Sequence, residues 1–141
     1  MKVLKAIGLF LAVIAAMLFV WKLEGEVGGP LCYQLHGEYK GWVVICFEDP
    51  KCPPLRHEGL YLVIPIWADG RGCTASSAPQ GWRYTRFEYL YPNGIRKGIR
   101  STGWGEGTLV WAWTYSEQAK WERFFVGTEE ELKTSWDKQP D

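Results

Sequence analysis

Between Ala6 and Trp21 the chain carries no charge and almost no polar atom, and lysines bracket this stretch at Lys2, Lys5 and Lys22. Such a run has few folding options. In lipid every backbone amide must be satisfied within its own segment, so the run has to be helical. From Ala6 to Trp21 it covers 16 residues, and 19 if Val3, Leu4 and a snorkelling Lys5 are included, against roughly 20 for a full span. The residues after it are Phe19-Val20-Trp21-Lys22-Leu23-Glu24, with no small-residue cut site of the A-x-A kind. Cys32 falls too far beyond the run to be a lipidation cysteine. The expectation is a retained signal anchor over residues 1–22, with Leu9, Phe10, Val13, Ile14, Met17 and Phe19 in the bilayer and Trp21 at its interface. The lysines favour a cytoplasmic N-terminus in a bacterial inner membrane, with the rest of the chain periplasmic. The alternative is a signal peptide that is removed.

Residues 23–30, LEGEVGGP, read as a glycine-rich linker. Beyond it, residues 31–136 contain a series of short apolar and aromatic segments divided by turn residues, and 137–141 form a tail. The candidate strands are Leu31–Leu35, Gly41–Phe47, Leu60–Trp67, Cys73–Ser77, Trp82–Tyr91, Ile95–Ile99, Thr108–Tyr115 and Trp121–Val126. Pro65 cannot donate to a ladder, which places Leu60–Trp67 at an edge or a bulge. Trp82–Tyr91 alternates with period two, putting Arg86 and Glu88 on one face and Phe87 and Tyr89 on the other. Pro92-Asn93-Gly94 then marks a hairpin. Thr128-Glu129-Glu130-Glu131 has the form of a capping box opening a short helix that runs to about Ser135. Strands at this spacing predict an all-β domain, an antiparallel sandwich or partly open barrel.

Four cysteines, Cys32, Cys46, Cys52 and Cys73, all follow the anchor. An even number in an exported domain predicts two disulfides. The Glu48–Lys51 turn favours Cys46–Cys52, which leaves Cys32–Cys73. There is no C-x-x-C pair and there are only two histidines, His36 and His57, so no metal site is expected.

Other chemistry is equally sparse. No G-x-S-x-G places a nucleophile, and Ser76-Ser77 could meet His57 only through tertiary folding. Gly103-Trp104-Gly105-Glu106-Gly107 lacks the G-K-[ST] end of a phosphate loop. The chain is therefore expected to be neither an enzyme nor a cofactor carrier. Its net charge of zero argues against nucleic-acid binding. Charge is nonetheless uneven, with a net of +4 from Arg83 to Arg100 and −3 from Glu117 to Asp137. Nine Trp, seven Tyr and six Phe exceed what a small core needs and suit an interface. Trp104, Trp111, Trp113, Arg96, Lys97 and Arg100 are the candidate interface residues. With strict alternation, Trp111 and Trp113 share one face.

The stretch Tyr39-Lys40-Gly41-Trp42-Val43-Val44-Ile45, then Pro53-Pro54-Leu55 and Gly59-Leu60-Tyr61, resembles an uncharacterised family of small exported bacterial domains. Thr74–Ser77, Gly81-Trp82 and the Tyr84–Tyr91 strand fit its middle, and Phe124-Phe125-Val126-Gly127-Thr128-Glu129-Glu130 its closing motif. The resemblance spans roughly Tyr33 to Leu132 and implies one exported β-domain with no assigned activity. The functional expectation is a non-catalytic accessory or structural subunit of a membrane complex of respiratory or photosynthetic (reaction-centre and light-harvesting) type. Its partners would be membrane subunits and the lipid bilayer, with any pigments or lipids held by its neighbours. The alternative is a membrane-tethered glycan- or peptide-binding module using Trp104, Trp111 or Trp113.

Overall fold

The computed structural model describes residues 12–15, 29–81, 83–101 and 107–140. The chain divides into two compact units, residues 1–28 with 79–83, and residues 29–78 with 84–141. In the first, residues 12–15 are helical with Val13 and Ile14 exposed. The other expected anchor residues, Leu9, Phe10, Met17, Phe19 and Trp21, lie outside the described residues. No helix among the described residues is long and apolar enough to cross a membrane.

Among the described residues the second unit holds nine strands: β1 (Leu31–His36), β2 (Gly41–Cys46), β3 (Arg56–Glu58), β4 (Tyr61–Ile66), β5 (Arg71–Cys73), β6 (Thr85–Leu90), β7 (Arg96–Ser101), β8 (Leu109–Ser116) and β9 (Trp121–Gly127). A helix α1 (Glu129–Ser135) and a 3-10 turn (Trp136–Lys138) follow. The strands form one sheet in the order β3-β4-β1-β6-β7-β8-β9-β2-β5. The all-β class, the C-terminal helix and, in the curl of the sheet, the partly open barrel match expectation. The antiparallel sandwich does not: the sheet is single and mixed, with β1 parallel to both β4 and β6, β2 parallel to β5, and β7 parallel to β8. Period-two patterning fixes which side chains face the core but not which strands are neighbours.

The sheet curls into a half-barrel. β6 and β9 are three steps apart, roughly 14 Å if the sheet were flat, yet the Phe87 and Phe124 rings lie 5.2 Å apart. Tyr33 reaches across too, stacking on Phe87 at 4.8 Å and meeting Phe124 edge-on at 5.4 Å. The two ends of the sheet approach one another as well, since Trp67 N donates to Arg71 O at 2.8 Å. The core fills the concave side with Leu31, Tyr33, Leu35, Val43, Ile45, Ile64, Ile66, Phe87, Tyr89, Val110, Phe124 and Val126. Pro65 lies in β4 just beyond the three residues that pair with β3, where its missing N–H breaks no bond to that strand.

The Pro92-Asn93-Gly94 hairpin forms as read, with Gly94 at φ +83° and β6 antiparallel to β7. The capping box forms too. Thr128 accepts from the Glu131 amide, and the Glu131 carboxylate accepts from the Thr128 amide at 2.8 Å. Two strand readings shift: the expected Cys73–Ser77 strand sits at Arg71–Cys73, and β3 had no counterpart in the sequence reading.

Candidate functional site

On β2, alternation sends Val43 and Ile45 into the core and Trp42, Val44 and Cys46 to the convex side. Register then sets Arg71 beside Val44 and Cys73 beside Cys46. The C-terminal segment lies over the same side. The Trp42 indole donates to Ser135 O at 3.0 Å, and its ring meets Phe125 at 5.4 Å and Trp136 at 6.1 Å. The Arg123 guanidinium donates to Pro140 O at 2.7 Å, and Lys40 pairs with Glu131 at 2.8 Å.

Between this strap and the β5 edge opens a cleft of about 660 Å³. Its walls carry Trp42, Trp67, Asp49, Asp69, Arg71 and Lys138, with all three of Cys46, Cys52 and Cys73. Trp67 stands in its wall with half of its surface free (51%), and Trp136, which packs on Trp42 from outside the cleft lining, is equally exposed (52%). Gly70 supports the cleft floor. It takes φ +81°, and a Cβ there would lie 2.6 Å from Trp42 O and still closer to the Tyr39 hydroxyl. Tyr39 donates to Trp42 O at 2.6 Å. Burial, with Asp69 nearby, pushes its phenol above the ordinary value.

The disulfide pairing differs from expectation. Cys52 bonds Cys73, with Cα atoms 5.8 Å apart, and Cys32 and Cys46 are free thiols. The 48–52 turn does fold back, but onto the segment after β5: Glu48 N donates to Ser76 O and Asp49 N to Thr74 O. That brings Cys52 to Cys73 rather than to Cys46. Cys32 is fully buried in β1, and burial raises its thiol pKa. Donor atoms of Asp49, Cys52 and Cys73 lie within 4.8 Å of one another, but two sulfurs bonded to each other offer no thiolate to a metal.

Trp111 and Trp113 do not share a face. Pairing runs Trp111↔Phe125 and then Thr114↔Arg123, so β8 holds one residue more than β9. Ala112 absorbs the bulge at φ +51°. Trp111 therefore lies on the convex side, its indole donating to Gly127 O at 2.8 Å. Trp113 lies on the concave side, one part of its ring against Tyr33 and Phe87 at 5.7 and 5.6 Å and about half of its surface (48%) free at the mouth. Its indole donates to Glu122, which also accepts from the Tyr33 hydroxyl at 2.6 Å. Burial pushes the Glu122 carboxyl above its ordinary value, and the two donors pull the other way.

The basic residues separate. Arg96 is held by Glu58 at 2.8 Å and Glu88 at 3.2 Å, and Arg86 by Glu88 at 3.2 Å. Lys97 and Arg100 line a hollow of about 410 Å³ with Glu38, Lys40 and Tyr89. Burial raises the Tyr89 phenol to about 12, and its hydroxyl donates to Tyr39 O at 2.7 Å. Trp104 lies outside the described residues. His36 and His57 are exposed on β1 and β3, and the Ser76 hydroxyl accepts from Leu55 N at 3.0 Å.

Asp49 falls within the turn read at Glu48–Lys51, and nothing in the sequence singled out Asp69, Arg71 or Trp67 as site residues. Their only local signal was a pair of Asp-containing turns, each following an aromatic strand.

The chain belongs to the family of unknown function DUF6843, which matches residues 31–135. The fold is similar to a crystal structure described as a putative lipoprotein from Bacillus anthracis, with 16% sequence identity and a TM-score of 0.52 over 72% of this chain and 71% of that one. No curated relative matches the sequence.

Proposed function

We propose that this DUF6843 member is a non-catalytic accessory domain of an extracytoplasmic membrane assembly, and that it holds a partner protein in the convex-side cleft. The observation that carries the reading is the half-exposed Trp67 on the cleft wall, with a second exposed ring, Trp136, packed on the cleft residue Trp42. Exposed tryptophan next to Arg71 and a mixed-charge rim of Asp49, Asp69 and Lys138 has the composition of a protein-binding centre. An extracytoplasmic, membrane-associated setting agrees with the Cys52–Cys73 bond, the lysine-flanked apolar run at the N-terminus, and the fold's likeness to a protein described as a lipoprotein.

The test is recovery of the full chain from native membranes in mild detergent. Wild type is compared with Trp67→Ala, Trp136→Ala and Leu60→Ala, the last being a strongly exposed residue outside the cleft. A stoichiometric partner that is lost from both tryptophan variants and kept by Leu60→Ala is expected. A chain recovered alone, or a partner kept by every variant, refutes the reading. One observation favours a second reading, a tethered glycan module: the Trp67 ring shares the cleft with the carboxylates of Asp49 and Asp69. Glycan binding lost on Trp67→Ala, with no protein partner recovered, would put that reading in place of the first.

A further inference from the structure

Three of the four cysteines line one cleft, and one of the three is free. Cys46 is exposed, and its β2 position is in register with Cys73 on parallel β5, so both side chains leave the sheet on the same side. Neighbouring strands run about 4.8 Å apart, inside the range of about 4.4–6.8 Å that a disulfide spans between Cα atoms. Cys52 already satisfies the same condition from the other direction, at 5.8 Å. Cys73 thus has two cysteines within bonding reach and can hold only one.

We propose that Cys46, Cys52 and Cys73 form a thiol–disulfide exchange site. The Cys46 thiolate attacks Sγ of Cys73. The Cys46–Cys73 bond forms as Cys52–Cys73 breaks, and the bonding pair leaves on Cys52 as a thiolate that takes up a proton. The number of disulfides is unchanged, so no oxidant or reductant is consumed. Register gives the exchange its direction: it sets Cys46 beside Cys73, so Cys73 is the sulfur attacked and Cys52 the one expelled. The two states staple different elements. Cys52–Cys73 ties the turn at 49–52 covalently to β5, whereas Cys46–Cys73 ties edge strand β5 to β2 and leaves the turn that carries Asp49 held to residues 74–76 by hydrogen bonds alone. The exchange therefore remodels one wall of the cleft and moves the free thiol from a strand to a turn. It goes beyond partner docking and stands whether the cleft holds a protein or a glycan.

The experiment uses the purified full chain in mild detergent. It is incubated without oxygen at mildly alkaline pH with a trace of reduced glutathione, then quenched in acid with N-ethylmaleimide, digested and mapped by mass spectrometry. Two linked peptides are expected, Cys52–Cys73 with Cys46 capped and Cys46–Cys73 with Cys52 capped. In a second measurement Cys52→Ser is treated with oxidised glutathione, which takes two electrons and yields two reduced glutathiones. The expected product is a monomer with a single Cys46–Cys73 bond. Three results would overturn the proposal. One is wild type showing only Cys52–Cys73 with Cys46 capped throughout. Another is Cys52→Ser holding Cys46 and Cys73 apart as two glutathione adducts. The third is linkage to Cys32, buried in the core on β1, since that would mean scrambling through the unfolded chain.

Discussion

Replacing Tyr33 by phenylalanine deletes one oxygen and leaves the ring stacked on Phe87. The oxygen lost is a donor to a buried carboxylate, at 2.6 Å from Glu122 Oε1. A hydrogen bond to a charged group contributes about 1.5–3 kcal/mol, and a neutral one about 0.5–1.5 kcal/mol. The size of the loss should therefore depend on the charge of Glu122. Its pKa is raised in the folded protein, chiefly by burial, so its ionisation opposes folding. That cost is absent below the unfolded carboxyl value of about 4.3 and grows as pH rises toward the folded value. The Tyr33 donor offsets part of it, because it favours the ionised form. Tyr33→Phe should cost about 0.5–1.5 kcal/mol in acid, where Glu122 is neutral, and about 1.5–3 kcal/mol once it is charged, with Tm falling roughly 4–8 °C per kcal/mol in a domain of this size. In a Glu122→Gln background the same change should cost only about 0.5–1.5 kcal/mol. Urea unfolding of the four proteins, followed by tryptophan fluorescence at about pH 4 and pH 8, completes the cycle. An equal loss in both backgrounds and at both pH values would refute the argument that a charged, donor-dependent Glu122 sits in this core.

Two further changes test how the local structure is built. Ala112 holds the β8 bulge at φ +51°, a conformation that β-branched residues resist, so Ala112→Val should cost at least about 1 kcal/mol. Ala112→Gly should leave Tm nearly unchanged, and thermal melts of the pair decide the point. Thr128→Ala removes one half of the capping box and should cost about 0.5–2 kcal/mol. Because the Trp42 indole is tied to Ser135 at the far end of α1, its fluorescence should report a loosened strap before global unfolding.

Much of the fold could be read along the chain because its signals are local. The faces of Arg86-Phe87-Glu88-Tyr89, the Pro92-Asn93-Gly94 hairpin and the Thr128 capping box each depend on residues a few positions apart, and all three form. What could not be read depends on contacts between distant residues. Nothing within Leu31–His36 says that it lies between β4 and β6 and parallel to both. The Trp111 and Trp113 reading failed on a single inserted residue, since a bulge reverses every side chain beyond it and alanine is not the residue that ordinarily marks one. The disulfide reading failed because the 49–52 turn is held by amides bonding to Thr74 and Ser76, which are remote in sequence. The Glu122 site did carry a local sign: a carboxyl that shares a face with Phe124 and Val126 must find donors in the core.

The period-two geometry of β2 and β9 also separates binding from stability. Val43 and Ile45 fill the core, while Trp42, Val44 and Cys46, one residue away in each case, build the convex wall. On β9, Glu122, Phe124 and Val126 face inward, while Arg123 reaches outward to hold the strap at Pro140. A change at Trp67 or Cys46 can therefore alter the cleft and leave the concave core intact, because neither side chain belongs to that core. A change at Tyr33, Trp113 or Glu122 cannot, because their rings and hydrogen bonds join strands from opposite sides of the curled sheet. If loss of a partner tracked with Glu122→Gln rather than with Trp67→Ala, the working surface would be the open mouth of the half-barrel, and the convex cleft would be its supporting wall.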